Sequence, residues 1–122
     1  MRTIKFRAKG VDGEWWYGED TPTKEDRHAN LAVFFMNLYA GQLDSKTLGQ
    51  YIDRKAAEGK NIYEDDIVFG PYYLVAGYGR VRKVYYAHGA WEPFSGNCDL
   101  DHTYRYEIIG NVHDNPELLE KP

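Results

Sequence analysis

The sequence lacks the features that several protein classes require. Cys98 is its one cysteine among 122 residues, so an internal disulfide and a CxxC zinc knuckle are both excluded. No apolar run approaches the roughly 18 residues that span a bilayer, and the N-terminus lacks the apolar segment of a signal peptide. Positive charge is not in excess either, because 15 Lys and Arg stand against 19 Asp and Glu. We therefore expect a cytoplasmic protein that neither enters a membrane nor coats nucleic acid with its whole surface.

Aromatic residues are abundant, making up 16% of the chain as 11 Tyr, 5 Phe and 3 Trp, beside 12 Gly. Tyr and Trp favour the half-buried surface of a pleated sheet, and glycine marks turns. The length suits one domain, since two independent cores would each be small and marginal. The composition therefore predicts a single β-rich domain, and it indicates no particular reaction.

Alternation of apolar and polar residues predicts a hairpin at the N-terminus. Between Thr3 and Ala8 the apolar side chains alternate with a polar face that carries Lys5 and Arg7. Residues 10–13 supply a turn, and residues 14–17 return as a second strand. The polar stretch that follows, residues 20–30, is expected to be an exposed loop.

The later part of the chain shows further short strands and one helical turn. The strands are expected at residues 46–53, 66–69, 80–87 and 104–109. Asn115 precedes a proline at the first helical position, so residues 115–119 predict a short helical turn. Seven or eight short strands with glycine-bearing turns predict an all-β barrel or roll, because no room is left for the crossover helices of a parallel sheet.

Residues 31–36 form an apolar run that periodicity alone does not assign. Its shortness, its valine and its two phenylalanines favour a strand. The spacing of Leu31, Phe34, Phe35 and Leu38, closed by Gly41, favours a helix. The β-rich surroundings could pair with a strand here, so the strand is the favoured interpretation and the helix is the alternative.

Motifs for catalysis or metal binding are weak. The carboxylates at 64–66 are adjacent and would point to opposite faces of a strand, so we expect a turn in which Asp66 accepts backbone amides. The four histidines lack the spacings that bring two imidazoles to one metal. Residues 98–102 hold the densest set of potential ligands, but a nucleophilic Cys98 would need a positioned base and a depressed pKa, and the sequence pattern indicates neither. We therefore predict no enzymatic activity, no metal and no cofactor.

Basic and aromatic residues interleave in one segment, which is the candidate interaction surface. Its members are Arg80, Arg82, Lys83, Tyr85, Tyr86, Trp91 and Phe94. Such a set can grip single-stranded nucleic acid, with cations along the phosphates and bases stacked on rings. It can equally be the wet face of strands whose aromatics form the core, or a protein contact, where Tyr, Trp and Arg are enriched. The net charge of −4 opposes general attraction of phosphates, so we favour a protein contact, including contact with copies of the same chain.

Three segments together resemble the YopX family of phage and prophage proteins. They are residues 4–8 with Trp16-Tyr17-Gly18, the block that runs from Thr47 through residues 59–64 to Val68, and residues 107–119. They follow one another in the family's order across nearly the whole chain. The resemblance implies a mainly β fold with an SH3-type barrel in its later part, a phage or prophage origin and self-association, and it implies no established activity.

Two positions depart from the family pattern. Asp53 and Asp65 each stand where the family usually has glycine. Glycine adopts positive φ without strain, whereas aspartate does so at some cost, so we expect the turn at Asp65 to be altered.

The sequence thus predicts one domain over residues 1–122 with an N-terminal β region over 1–47, and the family resemblance implies that residues 48–122 form an SH3-like barrel. The expected function is that of a non-enzymatic, phage-encoded binding or assembly module in the host bacterial cytoplasm. It would form homo-oligomers and contact a phage or host protein. The alternative is a small β-barrel that binds single-stranded nucleic acid.

Overall fold

The structure, a computed structural model of the chain, describes residues 3–71, 79–87, 89–94 and 103–119. Among these residues ten strands and one α-helix are found, so the predicted β-rich fold is confirmed. The chain divides into two compact units between Asp53 and Arg54. Residues 98–102, the densest set of potential ligands in the sequence, lie outside the described residues.

The first unit contains three strands, then a helix, then a long fourth strand. These are β1 (Lys5–Gly10), β2 (Trp15–Glu19), β3 (His28–Asn30), α1 (Leu31–Tyr39) and β4 (Leu43–Lys55), whose last two residues belong to the second unit. The strand order is β3-β2-β1-β4, and β1 pairs antiparallel with both β2 and β4. The predicted N-terminal hairpin is therefore confirmed.

The expected loop at residues 20–30 ends in a strand that the sequence did not reveal. β3 runs parallel to β2, and the amide of Tyr17 donates to the carbonyl of Arg27 at 2.9 Å. The His28 ring stacks on the Tyr17 ring with centroids 4.7 Å apart. These contacts join β3 to Tyr17 in β2, about ten residues earlier in the sequence. The polarity of residues 20–30 alone does not show that pairing, and so it predicted a loop.

The favoured strand over residues 31–36 is wrong, because this segment begins α1. Asn30 caps the helix, with its Oδ1 accepting the amide of Val33 at 2.9 Å. Gly41, at φ 80°, follows its end. Phe34 is the buried residue of the helix, and it packs over Gly18, where a Cβ would lie 2.5 Å from the Phe34 Cγ. The absence of a side chain at Gly18 on β2 thus leaves the space that the Phe34 ring of the helix occupies.

The core of the first unit lies between α1 and the sheet. Ala8, Phe34 and Leu43 are buried there, and Phe6, Trp16, Phe35, Leu38 and Leu48 pack around them. The Phe6 and Phe35 rings meet edge to face at 5.1 Å. Each buried aromatic or leucine of this kind stabilises the fold by about 1.5–3 kcal/mol.

Six strands are found among the described residues of the second unit. They are β5 (Asn61–Tyr63), β6 (Asp66–Pro71), β7 (Gly79–Lys83), β8 (Tyr85–Ala87), β9 (Ala90–Glu92) and β10 (Glu107–Asn111). β10, β6 and β7 form an antiparallel sheet in that order, and β8 pairs with β9. The described strands form open sheets, and a closed barrel is not seen among them, so the SH3-type barrel stays a prediction.

Two predicted strands of the second unit differ from the observed ones. The strand expected at residues 80–87 is interrupted at Val84, whose amide donates to the carbonyl of Asp66 at 2.8 Å. The strand expected at residues 104–109 begins only at Glu107, because residues 103–105 form a 3-10 turn closed by the Tyr106 amide on the Thr103 carbonyl at 2.9 Å. The predicted C-terminal helical turn is confirmed as a 3-10 turn at Pro116–Leu119.

The carboxylates at 64–66 form a turn, as predicted. Asp66 is 1% exposed, and its Oδ2 accepts the amide of Tyr63 at 2.7 Å. Asp65 adopts φ 70° and Asp53 adopts φ 63°, so both aspartates hold the left-handed conformation that glycine would adopt without strain.

Candidate functional site

The predicted interaction segment lies on β7, β8 and β9. Lys83 is exposed at the end of β7, and its Nζ lies 5.8 Å from the centroid of the Tyr85 ring. Tyr86 is 57% exposed and stands opposite Trp91, with the rings edge to face at 5.1 Å. A cation and two accessible tyrosines therefore do come together here.

Three other members of that segment are less accessible. Arg82 and Trp91 are half-buried. Phe94 is fully buried, with its ring edge to face on Tyr106 at 4.9 Å. Arg80 lies in β7, opposite Gly70 in β6. Phe94 is therefore part of the core of the second unit, and its ring is not presented to a partner.

An exposed apolar pair extends this surface in a way that the sequence did not predict. Phe69 on β6 and Val81 on β7 are cross-strand partners, and both side chains are more than a third exposed. Lys83 follows Val81 by two residues and so points to the same face of the sheet. Apolar and cationic groups therefore share one face of the sheet of the second unit.

A larger apolar surface lies on the first unit, on the outer side of α1. We call it the α1 face, and its exposed members are Ala32, Val33, Met36, Tyr39 and Ala40. Tyr39 is 95% exposed and Met36 is 70% exposed. No residue of α1 carries a charge, and apart from Asn37, whose Nδ2 donates to the Val33 carbonyl at 2.9 Å, the exposed residues of the helix are apolar. An exposed apolar face of this kind ordinarily marks a contact site.

A pocket of about 370 Å³ adjoins the α1 face, since Val33 and Asn37 belong to its lining. Its walls also include Trp16, Phe34 and Leu43, and Val11, which is 75% exposed, stands at its edge. The volume lies within the range of pockets that hold small ligands or side chains, and such pockets are mostly apolar.

Asp12 supplies the charged group of this pocket. Its Oδ1 accepts the amide of Glu14 at 3.0 Å and the indole N–H of Trp16 at 3.4 Å. The Glu14 amide is the main cause that lowers the pKa of Asp12 below its ordinary value, with help from Trp16 and from the charge of Arg27 and against some desolvation. Asp12 is therefore ionised at neutral pH.

A second set of polar side chains braces β1, β2 and β3 together. Glu19 is 4% exposed, and it pairs with Lys5 at 3.6 Å and with the Nδ1 of His28. Arg7, which the alternation placed on the wet face, is instead buried, with its guanidinium 4.7 Å from the Trp15 ring centroid. That expectation was wrong because the aromatic ring of the neighbouring strand covers the guanidinium.

The two histidines within the described residues each face a carboxylate. His28 contacts Glu19, and the Nε2 of His113 lies 3.3 Å from Asp65. Among the described residues no group of three potential ligands converges on a point that could hold a metal. No helix in the described part of the chain is both long and apolar enough to cross a membrane.

Comparison with known proteins agrees with this fold. A model of the family described as YopX protein matches residues 5–120. The crystal structure of protein EF1440 from Enterococcus faecalis is similar with a TM-score of 0.56 and 24% sequence identity, covering 98% of this chain and 99% of that one. This likeness concerns the fold alone. No curated protein matches the sequence.

Proposed function

Because the chain belongs to the YopX family, we propose that it is a non-enzymatic binding or assembly module. In this proposal it is encoded by a phage or prophage, acts in the host cytoplasm, self-associates and contacts a phage or host protein. An SH3-type barrel over its later part belongs to the same proposal. The observation that carries this proposal is the α1 face, where the side chains of Met36 and Tyr39 are largely exposed to solvent.

Exposed apolar side chains cost solubility unless a partner covers them. The α1 face, Val11 and the pocket beside them are contiguous through Val33. Large contiguous apolar patches on soluble chains mark contact sites with other proteins. Tyr39 is also of the residue type that is enriched at the centres of such contacts.

The contacts of the buried carboxylates support a structural role for these groups. Asp66 holds the amide of Tyr63, and Glu19 holds Lys5 and His28. A catalytic pair would need one of these groups to be aimed into a cleft beside a nucleophile. Each instead stabilises a turn or a strand pair.

Light scattering of the purified chain over a wide concentration range tests self-association. The monomer mass is 14.2 kDa. A mass that rises to an integral multiple of this value supports the proposal. A chain that stays at the monomer mass at high micromolar concentration would remove self-association from it.

Binding of single-stranded nucleic acid is a second candidate, which Lys83, Tyr85 and Tyr86 favour. Lys83 stands beside the ring of Tyr85, and both tyrosines are exposed. Stacking on such rings is worth about 1–3 kcal/mol per base. A labelled oligothymidylate at about 50 mM salt, where electrostatic affinity is strong, should then bind and should bind more weakly to Tyr86→Ala.

The matched control for that assay is Tyr39→Ala, which removes an exposed tyrosine from the other unit. It should leave the binding of the oligonucleotide unchanged. Absence of any salt-dependent binding by the unmodified chain would eliminate this candidate.

A further inference from the structure

We propose that the α1 face is an interface between two copies of this chain, in which two α1 helices pack antiparallel about a two-fold axis at Met36. The assignment rests on the proposed self-association and names the surface that performs it. The α1 face is described by its exposed residues, with Met36 near its centre.

The face is self-complementary in size and spacing. Ala32 lies four residues before Met36 in the helix, and Ala40, the C-cap residue of α1, lies four residues after it and continues the same ridge. In an antiparallel pair centred at Met36, Ala32 of one copy is level with Ala40 of the other, so small residues flank the central methionine on both sides. Small flanking residues let two helix axes approach to about 8–10 Å, the distance of packed helices.

The absence of charge on the helix also fits an identical partner. A residue at a two-fold axis meets its own copy, so a charge near the axis would be opposed by a like charge. α1 carries no Asp, Glu, Lys or Arg. Antiparallel packing also places the positive end of one helix dipole beside the negative end of the other.

The exposed area is sufficient for a dimer of modest affinity. Tyr39, Met36, Val11 and Val33 are 95%, 70%, 75% and 44% exposed. With a large aromatic side chain contributing roughly 200 Å², these four present roughly 500 Å² per copy, or about 1,000 Å² in the pair. That total is at the lower limit of specific interfaces, so we expect dissociation constants in the micromolar range.

The first test is the self-association of Met36→Glu, measured by light scattering from about 1 to 500 µM. Two carboxylates would then face each other across the axis without a cation, and dimerisation should weaken by roughly 100-fold. Met36 is mostly exposed, so the variant should fold, as circular dichroism can verify. Tyr104→Glu is the control, since Tyr104 is an exposed residue of the second unit that belongs to neither candidate surface, and it should dimerise as the parent does.

The second test fixes the direction of the helices by cysteine cross-linking in a Cys98→Ser background. Met36→Cys should form a disulfide-linked dimer on mild oxidation. Ala32→Cys alone should not, because eight residues separate positions 32 and 40 and the two cysteines would be about 12 Å apart along the axis. A mixture of Ala32→Cys and Ala40→Cys should form the mixed dimer.

The outcomes separate this assignment from the broader proposal. If the parent chain associates but Met36→Glu associates equally well, self-association stands and the α1 interface is wrong. If Ala32→Cys cross-links to itself as efficiently as Met36→Cys does, the helices are parallel and the antiparallel pair is refuted. If the parent chain stays monomeric throughout, self-association and the α1 interface both fail.

Discussion

Replacing Gly18 with alanine should loosen α1 from the sheet that it packs on. A Cβ at position 18 would lie 2.5 Å from the Cγ and 2.7 Å from the Cβ of Phe34. Carbon atoms in good contact are about 3.5–4.0 Å apart, so the overlap is about 1 Å. Phe34 has little room to retreat, because it is 2% exposed and its ring meets that of Phe35 at 5.2 Å.

The size of the effect follows from two opposing terms. Overpacking of a filled core costs about 1–3 kcal/mol. Alanine also restricts the unfolded chain more than glycine does, which stabilises the native state by about 0.4–1 kcal/mol. The backbone of Gly18 is not at positive φ, so no further strain is added. We expect a net loss of about 1–2 kcal/mol in the free energy of unfolding.

Urea unfolding followed by tryptophan fluorescence measures this loss, since Trp15 and Trp16 both lie in β2 beside Gly18. Comparison of Gly18→Ala with Gly18→Val separates the clash from strand propensity. Valine favours strands by up to about 1 kcal/mol over glycine, so without a clash it would be the more stable variant. With the clash it should be the less stable one, and a Gly18→Val chain as stable as the parent would refute the packing argument.

Three other predictions concern a turn, a strained residue and the pocket carboxylate. Asp66→Ala should lower the free energy of unfolding by about 1–3 kcal/mol because the Tyr63 amide loses its acceptor; Asp66→Asn, which keeps an acceptor oxygen, should cost less in the same urea titration. Glu58→Gly should raise the free energy of unfolding by about 0.5–1 kcal/mol, since Glu58 has φ 63° and its ion pair with Lys60 is exposed. Glu58→Ala keeps the backbone strain, so an equal rise in its free energy of unfolding would contradict the role of strain. The pKa of Asp12 should lie below its ordinary 3.8 because of the Glu14 amide, so the stabilisation from the ionised carboxylate is present above pH 3.8 and is lost as the pH falls through the lower folded value. An NMR titration should show the Asp12 carboxyl and the Trp16 indole N–H changing with one midpoint. A midpoint at or above 3.8 would contradict the lowered pKa.

The sequence predicted those elements whose signals are local. The first hairpin has alternating strands on either side of its turn residues, and the register pairs Phe6 with Gly18. The turn at Asp66 and the 3-10 turn after Asn115 also depend on side chains that lie within a few residues of the backbone they organise. Such signals are readable without knowledge of the tertiary fold.

The helix was mispredicted because its decisive contact is not local. Leu31–Tyr39 contains valine and two phenylalanines, which suit either conformation. The Asn30 cap and Gly41 are local helix signals, but the packing of Phe34 over Gly18 is not, because Gly18 is remote in sequence and its lack of a Cβ leaves room for the Phe34 ring. Propensity is a weak prior, and a tertiary contact of this kind overrides it.

Accessibility of the candidate site was equally hard to infer from composition. In the sequence Phe94 and Tyr86 are both aromatic residues near basic ones. In the structure Phe94 is fully buried, whereas Tyr86 is more than half exposed. The difference arises because Phe94 packs on Tyr106, which no sequence pattern links to it. The α1 face was missed for the same reason, since an apolar run does not show which of its sides the core covers.

The two exposed apolar surfaces differ in charge, and this difference indicates different partners. The α1 face carries no charge, whereas the face with Phe69 and Val81 also presents Lys83. A neutral face is suited to its own copy, and a cationic one is suited to an acidic partner, because like charges repel across a two-fold axis. Association through α1 should therefore be nearly independent of salt between about 50 and 500 mM, while binding through the Lys83 surface should weaken as salt screens it. If self-association instead falls steeply with salt and Lys83→Ala reduces it, the copies meet through the second surface and the α1 face is left for another protein.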